Sequence, residues 1–145
     1  MKIGAQLYTV REFCQTTEGF AETLKKVADI GYRTVQVSGT CPFDPDWLND
    51  QLRQNGLECV ITHTPSPALR ESPADAARAH SVFGCNYIGL GYFPFNQDVE
   101  GERLEDFVRM YSPVADILYE NGTFRPLTEE EKVTSNLLMF CDRLP

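Results

Sequence analysis

The side chains in this sequence that could handle a small polar molecule are amides, phenols and one imidazole, and they recur at the ends of short apolar runs. Gln6 and Tyr8, Gln36 and Ser38, His63, and Tyr92 each stand at such a place. Amides and imidazole orient hydroxyls and carbonyls by hydrogen bonding, and histidine can also hold or release a proton near neutral pH. None of the set is a carboxylate, so neither a paired-carboxylate acid–base couple nor a hard-cation site is written into these positions. His63 is the sharpest candidate, because it follows an apolar run and precedes Thr64-Pro65; a hydrogen-bonded structural histidine is the competing reading. His80 falls mid-helix and belongs to the surface or to a helix–sheet seam. Arg11, just past the first run, could meet a phosphate or carboxylate or serve in a surface ion pair.

The elements that must position these residues are legible from apolar spacing. Ile3 to Val10 reads as a strand. Thr16 or Thr17 can cap a helix whose apolar positions Phe20, Leu24, Val27 and Ile30 recur every three or four residues, up to Gly31. Thr34 to Ser38 is a second strand. Asp44-Pro45 predicts the start of a helix with Trp47, Leu48 and Leu52 on its buried face, ending at Gly56. Cys59 to Thr64 is a third strand, and Ser72-Pro73 repeats the cap-and-proline signal before a helix that ends at Gly84. Tyr87 to Tyr92 is a fourth strand. Glu102 to Asn121 is a longer amphipathic helix, with Pro113 predicting a kink or an interruption near residue 112.

The repeat then stops. Gly122 leads into Thr128-Glu-Glu-Glu131, a capping box, and Val133, Leu137, Cys141 and Leu144 follow at helical spacing, so a C-terminal helix over 128–144 is expected in place of a fifth strand. Asp44, Asp46, Ser72 and Thr128 are read as helix caps, and Glu129–Glu131 as a helix N-terminus favoured by the macrodipole. Gly89 and Gly91 would relieve crowding in the fourth strand, and Tyr92-Phe-Pro-Phe95 is an aromatic loop at the rim.

A chain of 145 residues is one domain by length and can bury roughly 68–70% of the surface its unfolded form exposes. Apolar content of 42%, with nine Phe and six Tyr, supplies a core. A net charge of −8 argues against a polyanionic partner, since phosphate backbones are held by Lys and Arg, so no nucleic acid is expected. Nothing approaches the ~18 apolar residues of a membrane span. The opening residues lack the apolar h-region of a signal peptide, and the five cysteines (Cys14, Cys41, Cys59, Cys85, Cys141) form no CxxC pair. Buried reduced thiols in a cytoplasmic protein are therefore expected.

Strand and helix alternating at this spacing mean parallel strands joined by right-handed crossovers. An open doubly wound sheet and part of a (βα)8 barrel both fit. A Rossmann sheet would normally carry GxGxxG after its first strand, where this chain has Tyr8-Thr-Val-Arg-Glu-Phe13, so the barrel is favoured. A full barrel needs at least ~200 residues. The expected fold is thus α/β: a single domain over 1–145, made of a parallel (βα)4 half of a TIM-type barrel over 1–122 and a divergent helical tail over 123–145.

The ordered set Gln6-Leu-Tyr-Thr-Val-Arg-Glu12, Phe20-x3-Leu24-Lys-Lys-Val-Ala-Asp-Ile-Gly-Tyr32, Val35-Gln-Val37, Gly56-Leu57 and Thr62-His63 resembles the sugar phosphate isomerase/epimerase family of xylose isomerase-like TIM barrels. The resemblance covers roughly residues 2 to 95. It implies a site at the carboxyl ends of the strands. It also implies a divalent metal (Mn, Mg, Co or Zn) held by Glu, Asp and His mostly from later strands, and proton transfer beside the carbonyl of a sugar, polyol ketone or sugar phosphate. Where that family often has Glu after the second-strand valine, this chain has Gln36, and ligands for the expected metal are not found in the sequence. Only substrate contact is carried over, to Gln6, Gln36 and His63.

Two expectations follow. The chain is part or a shortened form of such an isomerase or epimerase, or it is a catalytically inactive truncated scaffold; a DNA-repair role like that of endonuclease IV is disfavoured by the acidic balance. In either case a half-barrel leaves two open edges, so a homodimer or other self-association is expected.

Overall fold

The computed structural model describes residues 3–90 and 102–121. Four strands, β1 (Gly4–Gln6), β2 (Thr34–Val37), β3 (Glu58–His63) and β4 (Ile88–Gly89), form one parallel sheet in the order β1-β2-β3-β4. The helices are α1 (Thr17–Ile30), α2 (Pro45–Asn55), α3 (Ser66–Glu71), α4 (Pro73–Val82) and α5 (Glu102–Glu120). None of the described helices is long and apolar enough to cross a membrane.

Sequential parallel order decides between the two architectures. Crossovers of one hand that always step to the next strand deposit every helix on the same face of the sheet. Accordingly α1 packs on α2, α2 on α4, and α4 on α5. Ala5, Val35, Val37 and Cys59 of the sheet meet Phe20, Leu24, Val27, Leu48 and Leu52 of the helices in one apolar cluster. Phe20 lies at its centre with no exposed surface, its ring 6.0 Å from that of Phe43 and 5.4 Å from Trp47. A second cluster joins Leu69, Ala77, Tyr111, Val114 and Leu118 of α3, α4 and α5. A doubly wound sheet would have helices on both faces; among the described residues helices cover one face of this sheet only, as in half of a barrel.

Local chemistry accounts for most boundaries. Thr16 caps α1 by accepting from the Gly19 N–H, and Gly31 closes it with φ 116°. Asp44 caps α2 by accepting from the Asp46 and Trp47 N–H groups, while Asp46 sits in the first turn, where its charge favours the helix dipole without capping. Pro113 is accommodated within a single helix α5, so the expected interruption is absent. Ser72 makes no cap bond: it ends α3, a helix the sequence did not announce, and leads directly into α4. Gly122, Gly91, the Tyr92–Phe95 loop, Thr128 and the expected 128–144 helix lie outside the described residues.

The first strand is shorter than its sequence suggests. After Gln6 the chain turns into a 3-10 segment, Leu7–Phe13, with Leu7 buried in the main cluster. Alternation therefore ends at Gln6, and Tyr8 does not share a strand face with it. A second irregularity lies in β3. Thr34 pairs with Glu58 and Val35 with Cys59, but Gln36 pairs with Ile61, so Val60 is an extra residue in a β-bulge.

Two side-chain contacts tie β3 to its surroundings. The thiols of Cys14, Cys59 and Cys85 are buried and free. The Cys59 thiol donates to the Ile61 carbonyl oxygen at 3.6 Å, and the neighbouring Cys85 thiol together with burial pushes its pKa far above the ordinary range, out of reach of thiolate chemistry. His80 is buried on α4, the seam placement among those expected. Its Nδ1 is 2.7 Å from the Ala76 carbonyl oxygen, which can only accept, so Nδ1 carries the proton and Nε2 accepts from the Thr62 hydroxyl at 2.7 Å. Burial holds the His80 pKa below its ordinary value.

A histidine whose folded pKa is depressed stabilises the fold fully above its unfolded pKa, about 6.5, and less as pH falls through that value toward the folded one. Urea unfolding at pH 7.5 and pH 5 should show a loss at the lower pH, at a rate of at most about 1.4 kcal/mol per pH unit from this group. His80→Gln should reduce that pH dependence; an unchanged pH dependence would show that His80 is not its source.

Candidate functional site

The face of the sheet turned away from the helices carries the polar residues. Register places Gln6 beside Gln36 and Gln36 beside Ile61. His63, two residues beyond Ile61, shares that face by alternation. The three polar side chains meet. Gln6 Nε2 donates to Gln36 Oε1 at 3.3 Å, which leaves the Gln36 amide nitrogen to donate to His63 Nε2 at 2.7 Å. The imidazole is thereby neutral with its proton on Nδ1. Gln6 is exposed, whereas Gln36 and His63 are half-buried. All three positions read from the sequence are brought together here, across three strands and 57 residues of chain, as Gln6 and His63 bound the set.

The neighbouring strand makes room for the imidazole. A Cβ at Gly89 would fall 2.8 Å from His63 Cδ2 and 3.0 Å from the Thr62 carbonyl oxygen. Glycine at 89 is thus a requirement of close approach, in line with the crowding read from the sequence. Ser38, two residues past Gln36, is buried, and its hydroxyl finds no hydrogen-bond partner among the described residues.

Beyond the ends of β1 and β2 lies an open cleft of about 430 Å³ lined by Thr9, Arg11, Glu12, Gln15 and Gly39. The Thr9 hydroxyl donates to the Gln6 carbonyl oxygen at 2.7 Å, so the cleft begins where the amide chain ends. Gln15 donates to the Arg11 carbonyl at 2.6 Å and to the Gly39 carbonyl at 2.8 Å, fastening its two walls. Gly39 has φ 69°, and a Cβ there would lie 2.8 Å from the Tyr8 ring. Thr9, Gln15 and Gly39 are missed by sequence reasoning, because a strand drawn to Val10 leaves no turn for them to line. Tyr8 serves as a platform, its ring 4.4 Å from the Arg11 guanidinium carbon.

The trio does not fit a divalent cation. Hard cations take several oxygen donors with carboxylates among them, and these three residues offer one imidazole and two amides already engaged with each other. Among the described residues no three of His, Cys, Asp and Glu converge so as to hold a metal ion. What the arrangement can do is orient. The amides exchange donors and acceptors with hydroxyl or carbonyl oxygens, and His63 holds a proton at a fixed nitrogen.

No protein-family model matches the chain, and no curated protein does. Solved structures do. A sugar phosphate isomerase/epimerase from Parabacteroides distasonis superposes with a TM-score of 0.63 at 17% identity over 85% of this chain and 53% of its own. An AP endonuclease, family 2, from Brucella melitensis gives 0.63 at 19% identity over 90% and 57%. The probable 3-DHS dehydratase AsbF of Bacillus anthracis, involved in petrobactin synthesis, gives 0.62 at 12% over 83% and 49%. The chain spans about half the length of the solved structures it matches. At these identities the likeness establishes the fold alone, a TIM-barrel type of α/β architecture, of which four parallel strands with their helices are present among the described residues.

Gly89→Ala should displace His63 from Gln36 and lower stability by about 1–3 kcal/mol, as overpacking does. Histidine-selective NMR and urea unfolding check both effects; an unmoved His63 resonance would show that the contact is not tight.

Proposed function

We propose that this chain builds part of the wall of a sugar-binding active site, serving proton transfer beside the carbonyl of a sugar, a polyol ketone or a sugar phosphate. The reaction class is isomerisation or epimerisation. The observation that carries the reading is the Gln6–Gln36–His63 chain on the open face of a barrel-type sheet. Amides joined in series are held at defined angles without any net charge, which suits neutral, hydroxyl-rich molecules. The likeness to a sugar phosphate isomerase/epimerase supports the same class.

Gln6 and Gln36 would hold hydroxyl or carbonyl oxygens, and His63 would fix the geometry of Gln36 and present a proton at Nδ1. Its Nε2 lone pair is engaged by Gln36, so His63 acts as a positioning group in this arrangement. The likeness to an AP endonuclease is not accompanied by the charge that DNA binding requires, since the chain carries 21 acidic against 13 basic residues. A second reading, a binding scaffold without catalysis, is favoured by one observation: no carboxylate belongs to the trio at the strand ends.

Binding of fructose and fructose 6-phosphate, followed by NMR of the histidine and glutamine side chains, should move the Gln36 and His63 signals. Gln36→Leu should weaken that binding at least tenfold. Equal binding by the variant would overturn the assignment. Exchange of the proton beside the ketose carbonyl into heavy water, tested with Mn2+, Mg2+, Co2+ and Zn2+, separates enzyme from scaffold.

Among the described residues β1 and β4 are the two edges of the sheet, running in the same direction. A two-fold axis along the barrel would set β4 of one copy beside β1 of another and close eight strands, removing both edges. Light scattering after size exclusion should therefore give twice the mass of one chain. A monomer at high concentration would overturn the dimer.

A further inference from the structure

We propose that the cleft beyond β1 and β2 is an oxyanion-binding subsite centred on Arg11, taking the carboxylate or phosphate end of the molecule whose neutral oxygens meet Gln6, Gln36 and His63. The inference rests on the preceding reading and adds the charge of the substrate to it.

Arg11 is held in place before any ligand arrives. Its Nη1 donates to the Tyr8 carbonyl oxygen at 2.9 Å, and its guanidinium carbon lies over the Tyr8 ring at 4.4 Å. Gly39 keeps the space beside that ring clear, and Gln15 clamps the backbone of Arg11 to that of Gly39. An exposed arginine ordinarily loses much rotamer freedom on gripping an anion; one already stacked and bonded loses less. Stacking occupies a face of the guanidinium and one N–H is engaged, so further in-plane donors remain for a bidentate contact.

The arginine has no carboxylate partner among the described residues, a state it shares with the exposed Arg33, Arg53 and Arg70 and that sets it apart only from the four cations paired along helices. Lys25 pairs with Asp29, Lys26 with Glu22, Arg78 with Asp75 and Arg109 with Asp106, each three or four residues apart on a helix. Among the described residues Arg11 makes no ion pair. Glu12 lines the same cleft, and its carboxylate is not within ion-pair distance of Arg11; it opposes an incoming anion and limits the affinity. Thr9 and Gln15 add a hydroxyl and an amide at the same opening.

The cleft, lined by none of the trio, adjoins it along the chain. Thr9 is bonded to Gln6, Gly39 follows Gln36 by three residues, and a 3-10 segment rises about 2 Å per residue, which puts Arg11 within about 10 Å of Gln6 along the chain. One small molecule can span both.

The test uses the full chain with four probes: inorganic phosphate, fructose, fructose 6-phosphate and gluconate. Arginine Nε–Hε and histidine NMR signals are followed together. Phosphate should shift the Arg11 signal alone, and fructose 6-phosphate should shift Arg11 and His63 and bind at least fivefold more tightly than fructose. Arg11→Gln should abolish that advantage and leave fructose binding unchanged, and Glu12→Gln should strengthen the anions severalfold. Gluconate binding as well as fructose 6-phosphate marks a carboxylate as the natural end; weaker gluconate binding marks a phosphate. The inference is overturned if fructose 6-phosphate binds no better than fructose, or if Arg11→Gln weakens both equally. If Arg11 responds to phosphate while no sugar moves His63, the anion subsite stands and the sugar reading fails.

Discussion

Everything functional in this molecule depends on a constraint of handedness. Parallel strands laid down in the order β1-β2-β3-β4 by crossovers of one hand receive all their helices on one face. The apolar residues of the sheet, Val35, Val37 and Cys59, must then point to that face, and the intervening residues are left on the other. Polar side chains such as Gln36 and His63 are tolerated in a parallel sheet because, among the described residues, no helix covers that second face. In a doubly wound sheet, covered on both sides, the same amides would be buried and each would need every hydrogen bond satisfied.

The open face is organised by pairing amide with amide and amide with imidazole. Each bond contributes modestly to stability, about 1 kcal/mol, yet together they fix the orientation of three flexible side chains at once. Gln36 is the hinge of the set, since it accepts from one neighbour and donates to the other. His63 is steadied from behind by its own strand, where Thr62 is bonded to His80 across the helix–sheet seam. The trio and the seam thus share β3, with successive side chains facing opposite layers.

Much of this was legible in the sequence because helix signals are local. Thr16 and Asp44-Pro45 mark helix starts by chemistry confined to a few residues, and Phe20, Leu24 and Val27 reveal their face by spacing. Strand ends are harder. Leu7, Tyr8 and Val10 have strand-like preferences, but Leu7 is wanted in the core, and the chain bends into a 3-10 turn to put it there. Ser72-Pro73 does mark a helix start, with Ser72 at the N-cap position of α4, but the Ser72 side chain makes no cap bond, and the helix that precedes it, Ser66–Glu71, has too few residues to show periodicity. Gln6, Gln36 and His63 could be chosen by their places at strand ends. That they touch could not, because contact depends on register, and register depends on pairing between distant segments.

The bulge at Val60 bears on which residue of β3 does what. With uninterrupted pairing, Gln36 would lie opposite Val60, and parity would turn Thr62 to the open side and His63 toward the helices. The imidazole near the amides would be replaced by a hydroxyl, and a second ring would be forced into the seam that His80 already fills. Deleting Val60 would remove the bulge and leave Ile61, Thr62 and His63 on their present faces, whereas straightening the pairing with Val60 retained would exchange the chemistry of the two layers without changing the composition of the strand.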